Sequence, residues 1–174
     1  MTVTLPHADL VDLARRSFTL MEEWNDDEAE RVIHQDSVNH EAASEPPAAR
    51  ATGPAGYRAT YDWLHSAYAE IRFDVRHVAA DGDLVVADVV MSGVQTGPFV
   101  VYDADGRVDQ VFPSRGRRFA VSQSHWYRIR DGKIAEHWAN RDDLGQAVQL
   151  GWVPPSPAFL LRGALLKRRL RRSA

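Results

Sequence analysis

The stretch Ser122–Asp143, SQSHWYRIRDGKIAEHWANRDD, decides how this chain folds. Two runs rich in aromatic and β-branched residues flank Asp131-Gly132, a dipeptide that tolerates the positive φ angles of a tight hairpin turn. His125, Tyr127, His137 and Trp138 lie in those runs. Polar rings at that density suit a strand pair that lines a pocket as well as filling a core. Two registers fit the turn. If Gly132 makes a bulge in a three-residue loop, Ile129 faces Lys133, and His125 pairs with His137, Tyr127 with Ala135 and Gln123 with Ala139. A two-residue type I′ turn sets His125 opposite Trp138 and takes His137 off that face.

Outward from the hairpin, Asp142–Leu150 reads as a short helix stopped near Gly151 and Pro154-Pro155. Upstream, Leu84–Val94 and the alternating run Ile71–Ala80 read as strands about an Asp81-Gly82-Asp83 turn. Between them and the hairpin, residues 95–118 are irregular but carry Phe99, Val100, Tyr102, Val111 and Phe112. So apolar a segment must pack on something, and a small hairpin about Asp105-Gly106 is expected. At the N-terminus Leu10, Ala14, Phe18 and Met21 recur at helical spacing, and Asn25-Asp26-Asp27 offers a cap for a second helix through Ile33. Asp36–Glu41 reads as a brief strand or turn and Ala42–Ala51 as a Pro/Ala loop. Thr52 can cap a third helix with Pro54 in its first turn, its aromatic face formed by Tyr57, Tyr61, Leu64 and Tyr68. Helices segregated from an antiparallel sheet give an α+β fold. A curved sheet closed by the three N-terminal helices makes a cone with a pocket. Residues 1–153 are read as the domain and 154–174 as a basic C-terminal extension.

Composition narrows the chemistry. Hydrophobic residues are 44% and charged residues 26% of the 174, ordinary for a globular chain. With no cysteine, disulfides and thiolate chemistry are excluded. No apolar run is long enough to span a membrane, and Asp9, Asp12, Arg15 and Arg16 interrupt any leader-like pattern, so a cytoplasmic location is expected. Six basic residues follow the last acid, Asp143, so the net −3 divides into +6 at the end and −9 before it. An acidic body argues against nucleic acid as a partner. The tail from Phe159 to Arg172 has the leucines and cations of an amphipathic helix that could touch an anionic membrane. Packing on its own domain or on a neighbouring subunit is the preferred reading. His40-Glu41-Ala42-Ala43-Ser44 starts like a zinc-protease motif, but Ser44 stands where the second histidine is needed. No serine elbow, Walker loop or dinucleotide fingerprint is present. No metal, cofactor or covalent serine chemistry is expected.

The run HWYRIRDGKIAEHWANRDDLGQAVQLGW, with Asn39-His40 after two helices and Gly53-Pro54-Ala55-Gly56-Tyr57 opening the third, resembles the SnoaL-like polyketide cyclase or ester-cyclase group of the NTF2-like superfamily. The resemblance spans roughly residues 8–152. It implies an α+β cone, often a homodimer, with a hydrophobic pocket for a small ligand. In the best-known members a pocket carboxylate acts as general acid/base in an intramolecular aldol step, helped by a histidine fourteen residues earlier. His125 matches that histidine, whereas Ala139 stands at the carboxylate position. The family spacing favours the three-residue loop and its His125–His137 pairing.

The candidate catalytic residues are therefore His125, Asp142 and His137, and the candidate substrate-binding residues are Asn39, Tyr57, Trp63, Tyr127 and Trp138. Imidazole titrates near neutral pH and can take or give a proton, though a buried hydrogen-bonded histidine need do neither. Asp142 or Asp143 either replaces the carboxylate missing at Ala139, Asp142 being the candidate carried forward, or caps the helix that follows. Adjacent residues on a strand face opposite ways, so only one of Asn39 and His40 enters the pocket. Two functions follow. One is a cofactor-independent enzyme moving protons on a small to mid-sized hydrophobic carbonyl compound. The other is a binding module that kept the cone and lost the catalyst.

Overall fold

Five strands form one open sheet in the order β1-β7-β6-β3-β2. They are β1 (Ile33–Asn39), β2 (Tyr68–Asp81), β3 (Leu84–Gln95), β6 (Arg118–Arg130) and β7 (Lys133–Arg141), while β4 (Phe99–Tyr102) and β5 (Val108–Phe112) form a separate hairpin. The helices are α1 (His7–Glu22), α2 (Asp26–Val32), α3 (Gly53–Ala67), α4 (Asp143–Leu150) and α5 (Pro157–Ser173). This computed structural model describes residues 6–173. The first five residues of the expected domain and Ala174 of the expected extension lie outside the described residues.

The α+β architecture matches the expectation, with one departure at the sheet edge. β1 runs parallel to β7, with Asn39 beside His137, and the other neighbours are antiparallel. No tight hairpin joins β1 to the strand it pairs with, so its direction is free of the antiparallel constraint. Along β3 the buried positions alternate, and Val85, Ala87 and Val89 face Leu10, Leu13, Ala14 and Phe18 of α1 in one core. Asn25 caps α2 by accepting the Glu28 amide at 2.9 Å. Thr52 occupies the N-cap of α3 but makes no side-chain cap bond; Pro54 sits in the first turn as expected. The helix stops at Ala67, so Tyr68 belongs to β2, and Tyr61 turns aside to stack on His65 at 4.0 Å.

The β6–β7 hairpin obeys neither expected register. Asp131 (φ 51°) and Gly132 (φ 74°) form the two central residues of a type I′ turn, and Arg130 pairs with Lys133. Ala135 is then an extra residue in β7: Ile129 pairs with Ile134, but Arg128 pairs with Glu136. Beyond this bulge Tyr127 faces His137 and His125 faces Ala139. One inserted residue reverses which side every later side chain takes. The bulge therefore returns His137 to the face of His125 and Tyr127, as the longer loop would have done.

Residues 95–118 contain the expected hairpin about Asp105-Gly106, and α5 lies along β5. Lys167 approaches Asp109 at 3.7 Å, and the Arg171 guanidinium donates to the Val108 carbonyl at 2.8 Å. Phe159 of α5 is buried, while Leu160, Leu161 and Leu165 face outward. Among the described residues no helix is long and apolar enough to cross a membrane. Gln95, fully buried, joins these parts. Its amide donates to the carbonyls of Gly97 and Phe112 (3.1 and 3.0 Å) and accepts the Trp152 indole N–H at 3.1 Å. Replacing Gln95 with Leu strands one buried donor and two acceptors. A loss of about 3 kcal/mol is expected, visible as a melting temperature roughly 6–12 °C lower.

Candidate functional site

The concave face of the sheet, α1, α3, the β4–β5 hairpin and α4 enclose a cavity of about 490 Å³. Much of its wall is aromatic: Phe18, Trp63, Phe73, Phe99, Phe112 and Trp152. Against that wall stands a chain of polar side chains. Asn39 Oδ1 lies 2.9 Å from His137 Nδ1, His137 Nε2 lies 2.9 Å from His125 Nδ1, and His125 Nε2 lies 2.8 Å from Gln123 Oε1.

Proton counting fixes much of this chain. Asn39 Oδ1 also accepts the Glu41 amide at 3.1 Å, so its oxygen, and not its nitrogen, is turned toward these donors. His137 must then donate from Nδ1 and accept at Nε2, and His125 donates to it from Nδ1. In a neutral pair, His125 Nε2 is left as a free acceptor. Three bonds between two amide oxygens need three protons, and two neutral imidazoles carry two. With both rings neutral the Gln123 amide presents its nitrogen to His125. With a proton on Nε2 it presents its oxygen. The opposite end of that amide meets only the sulfur of Met91, at 3.4 Å, so little resists the exchange.

Burial sets the charge state. It drives the His125 pKa well below its ordinary value, and the nearby His137 and Arg141 push it the same way. Burial likewise lowers His137 to about 3, assisted by Arg141 and His40. Phe18 meets the His125 ring edge-on at 5.0 Å, completing an apolar jacket. Tyr127 and Ser17 share a hydroxyl hydrogen bond of 3.0 Å, and burial raises the Tyr127 pKa. Tyr57, also buried with a raised pKa, has a hydroxyl with no hydrogen-bond partner among the described residues.

Of the residues singled out from sequence, Asn39, Tyr57, Trp63, His125, Tyr127 and His137 are brought together in the cavity wall. Trp63 is anchored there by its indole N–H to the Val100 carbonyl at 2.8 Å. Asp142 and Trp138 are not brought in. Asp142 is exposed and accepts the Gly145 amide at 2.8 Å, capping α4. Trp138 is the strand neighbour of His137, faces the other side and packs edge-on against His40. Only Asn39 of the Asn39-His40 pair enters; His40 binds Glu136 outside at 2.9 Å.

Two carboxylates were missed. Glu41 and Glu45 both reach the cavity from a pair of 3₁₀ turns, His40–Ser44 and Pro47–Arg50, and the junction between them. Glu41 accepts the backbone amide of Ala139 at 3.0 Å and pairs with Arg141 at 3.1 Å. Glu45 is 3% exposed and lies 2.5 Å from the Thr60 hydroxyl of α3. Burial raises its pKa, Glu41 adds to the rise, and hydrogen bonds from Thr60 and Asn39 and the charge of Arg141 oppose it. The signal in the sequence was an acid set between Ala42-Ala43-Ser44 and Pro46-Pro47, where nothing else needs one. Among the described residues no group of three or more acidic or histidine side chains is placed to hold a metal ion.

A curved open sheet with helices packed over the face that lines the cavity defines an NTF2-like cone. The chain matches the model of the SnoaL-like polyketide cyclases over residues 11–150, and it belongs to that family. It is 31% identical over 148 residues to the aklanonic acid methyl ester cyclase DnrD of Streptomyces peucetius, covering 84% of this chain and 94% of that one. It is 33% identical over 152 residues to the cyclase DauD of Streptomyces sp. strain C5, covering 84% of each. Among solved structures, TsrD from Streptomyces laurentii superposes with a TM-score of 0.69 at 26% identity, over 84% of this chain and 98% of that one.

The neutral histidines carry a cost in acid. The unfolded chain protonates histidine near pH 6.5, whereas folded His137 does so only at about 3. Between those values the unfolded state binds more protons, so stability falls as pH drops, by up to about 1.4 kcal/mol per unit from this one group. His137→Gln is expected to flatten the pH dependence of the urea midpoint between about pH 6.5 and pH 4.

Proposed function

We propose that this chain is a cyclase that closes a ring in a polyketide ester by acid/base proton transfer, without a cofactor. The observation that carries the reading is the neutral His125–His137 pair, its tautomer set by Asn39, on the wall of an enclosed aromatic cavity. A chamber of about 490 Å³ falls within the roughly 300–1,000 Å³ of small-molecule sites, and its flat rings suit a planar, hydrophobic, multi-ring ligand. Two relatives are named as aklanonic acid methyl ester cyclases, which supports this substrate class as the first to test.

In this reading the Tyr57 hydroxyl donates to a substrate carbonyl and makes the adjacent carbon more acidic. His125 Nε2, the free acceptor of the neutral pair, takes the proton from that carbon once the Gln123 side chain pivots aside. The protonated pair of rings then has three protons for its three bonds, with Gln123 Oε1 receiving the new N–H. His137 and Asn39 hold the ring in position and share the charge. The resulting enolate attacks a second carbonyl of the same molecule. The binding-module alternative rests on Ala139 alone, and the cyclase relatives do not favour it.

The test is incubation with aklanonic acid methyl ester and smaller keto-ester analogues, followed by chromatography with mass detection. A product of unchanged mass and new retention is expected. His125→Ala should lower kcat by about 100-fold or more, in the range of a lost general base. Ligand affinity should stay within about threefold of the parent, since the aromatic wall remains. Unchanged kcat in the variant would remove His125 from the chemistry.

A further inference from the structure

The ring closure proposed above needs a second proton transfer. The carbonyl that is attacked becomes an alkoxide and must gain a proton, and His125, having just received one for its own chain of bonds, is not free to give it. We propose that Glu45 is the general acid of this site, standing on the loop that follows β1 and replacing the carboxyl group that position 139 lacks. This rests on the cyclase reading.

The geometry supports it from three sides. Glu45 lines the same cavity as His125 yet is 3% exposed, so its carboxyl group meets a ligand and little water. It is held from α3 by Thr60. Thr60 Oγ1 also lies 3.4 Å from the Gly56 carbonyl, so the hydroxyl can turn its proton to Gly56 and accept one from a protonated Glu45. Asn39 links the two halves of the site, bonded to His137 on one side and to Glu45 on the other. The charged and titratable groups around Glu45 are Glu41 on the first 3₁₀ turn, Arg141 at the end of β7 and Tyr57 on α3. Burial and Glu41 favour the protonated acid, and Arg141 opposes it.

The steps balance. His125 Nε2 takes the carbon-bound proton, and the C–H electron pair becomes the enolate. The enolate carbon forms a C–C bond to the ketone carbon, whose π pair moves to oxygen. That oxygen takes the proton of Glu45, leaving a carboxylate opposite an imidazolium. Passing the proton from His125 to Glu45, through solvent as product leaves, restores both neutral groups. No atom is gained or lost, so the reaction is an isomerisation.

Activity should therefore decline as pH rises through the raised pKa of Glu45, since the acid form is the working one. The His125 pKa, pushed well below neutral, places its own limb on the far acid side. The experiment is a kcat profile against pH for the parent, Glu45→Gln, Glu45→Asp and Thr60→Val, with melting temperature and ligand affinity measured alongside. Glu45→Gln keeps the shape and should lose about 100-fold in kcat together with the declining limb. Glu45→Asp should keep that limb at a reduced rate. Thr60→Val removes a bond that lowers the Glu45 pKa and should move the limb to higher pH, a shift that a purely structural role would not produce. A Glu45→Gln enzyme within threefold of the parent, or with the same declining limb, overturns the assignment and leaves the cyclase reading standing. If Glu45→Gln fails to fold, an unmoved limb in Thr60→Val overturns it. A parent protein that cyclises none of the esters overturns both.

Discussion

Asn39 is the residue on which the site depends. The parallel pairing of β1 with β7 sets it beside His137, and its carbonyl oxygen receives both the Glu41 amide and the His137 ring. Each bond alone is worth on the order of 1 kcal/mol, so the importance is directional. By fixing which nitrogen of His137 holds a proton, Asn39 determines the tautomer of His125, and through it which nitrogen of that ring carries the lone pair. A second amide, Gln123, closes the far end of the chain and can meet either protonation state. One rigid amide and one adaptable amide thus bracket two imidazoles, an arrangement that admits an added proton without leaving a buried polar atom unpaired.

The elements were largely legible from the sequence, and the reason is periodicity. Leu10, Ala14 and Phe18 mark one face of α1, the alternation along β3 marks a half-buried strand, and Asp131-Gly132 marks a type I′ turn. Register was not legible. The turn dipeptide fixes the first pairs of the hairpin, but Ala135 then stands as an extra residue, and nothing in its chemistry announces a bulge. Its effect on facing is large because the side-chain period is two. The family spacing led to the right face through the wrong loop, since a three-residue turn and a two-residue turn followed by a bulge share the same parity.

Glu45 escaped notice for a different reason. Its burial is produced by contacts distant in the fold and leaves no repeating pattern in the Pro/Ala loop that carries it. The loop is pressed onto α3 at Gly56, where a Cβ would overlap the Ala51 carbonyl oxygen, so only glycine allows the approach. Thr60, one helical turn later, then meets the carboxyl group. Asp142 misled in the opposite sense. It stands three residues after the expected carboxylate position in sequence, but the first turn of α4 has unpaired amides, and the aspartate accepts that of Gly145. Proximity along the chain favoured Asp142, whereas the carboxylates that line the cavity are Glu41, Glu45 and Asp143.

The position of the carboxyl groups has an electrostatic consequence. On a central strand a carboxylate would sit within the sheet, directly beside the imidazoles, and would hold one of them charged. On the loop, Glu41 is committed to Arg141 and the Ala139 amide, and Glu45 faces the cavity with its charge disfavoured by burial. The sheet wall can then keep both imidazoles neutral in the resting state. In a dry site, separating charge during a reaction costs less when no fixed ion pair has to be broken first. With Ala139 on β7 the sheet offers no carboxyl group at that position, and the loop that follows β1 brings Glu41 and Glu45 to the cavity instead.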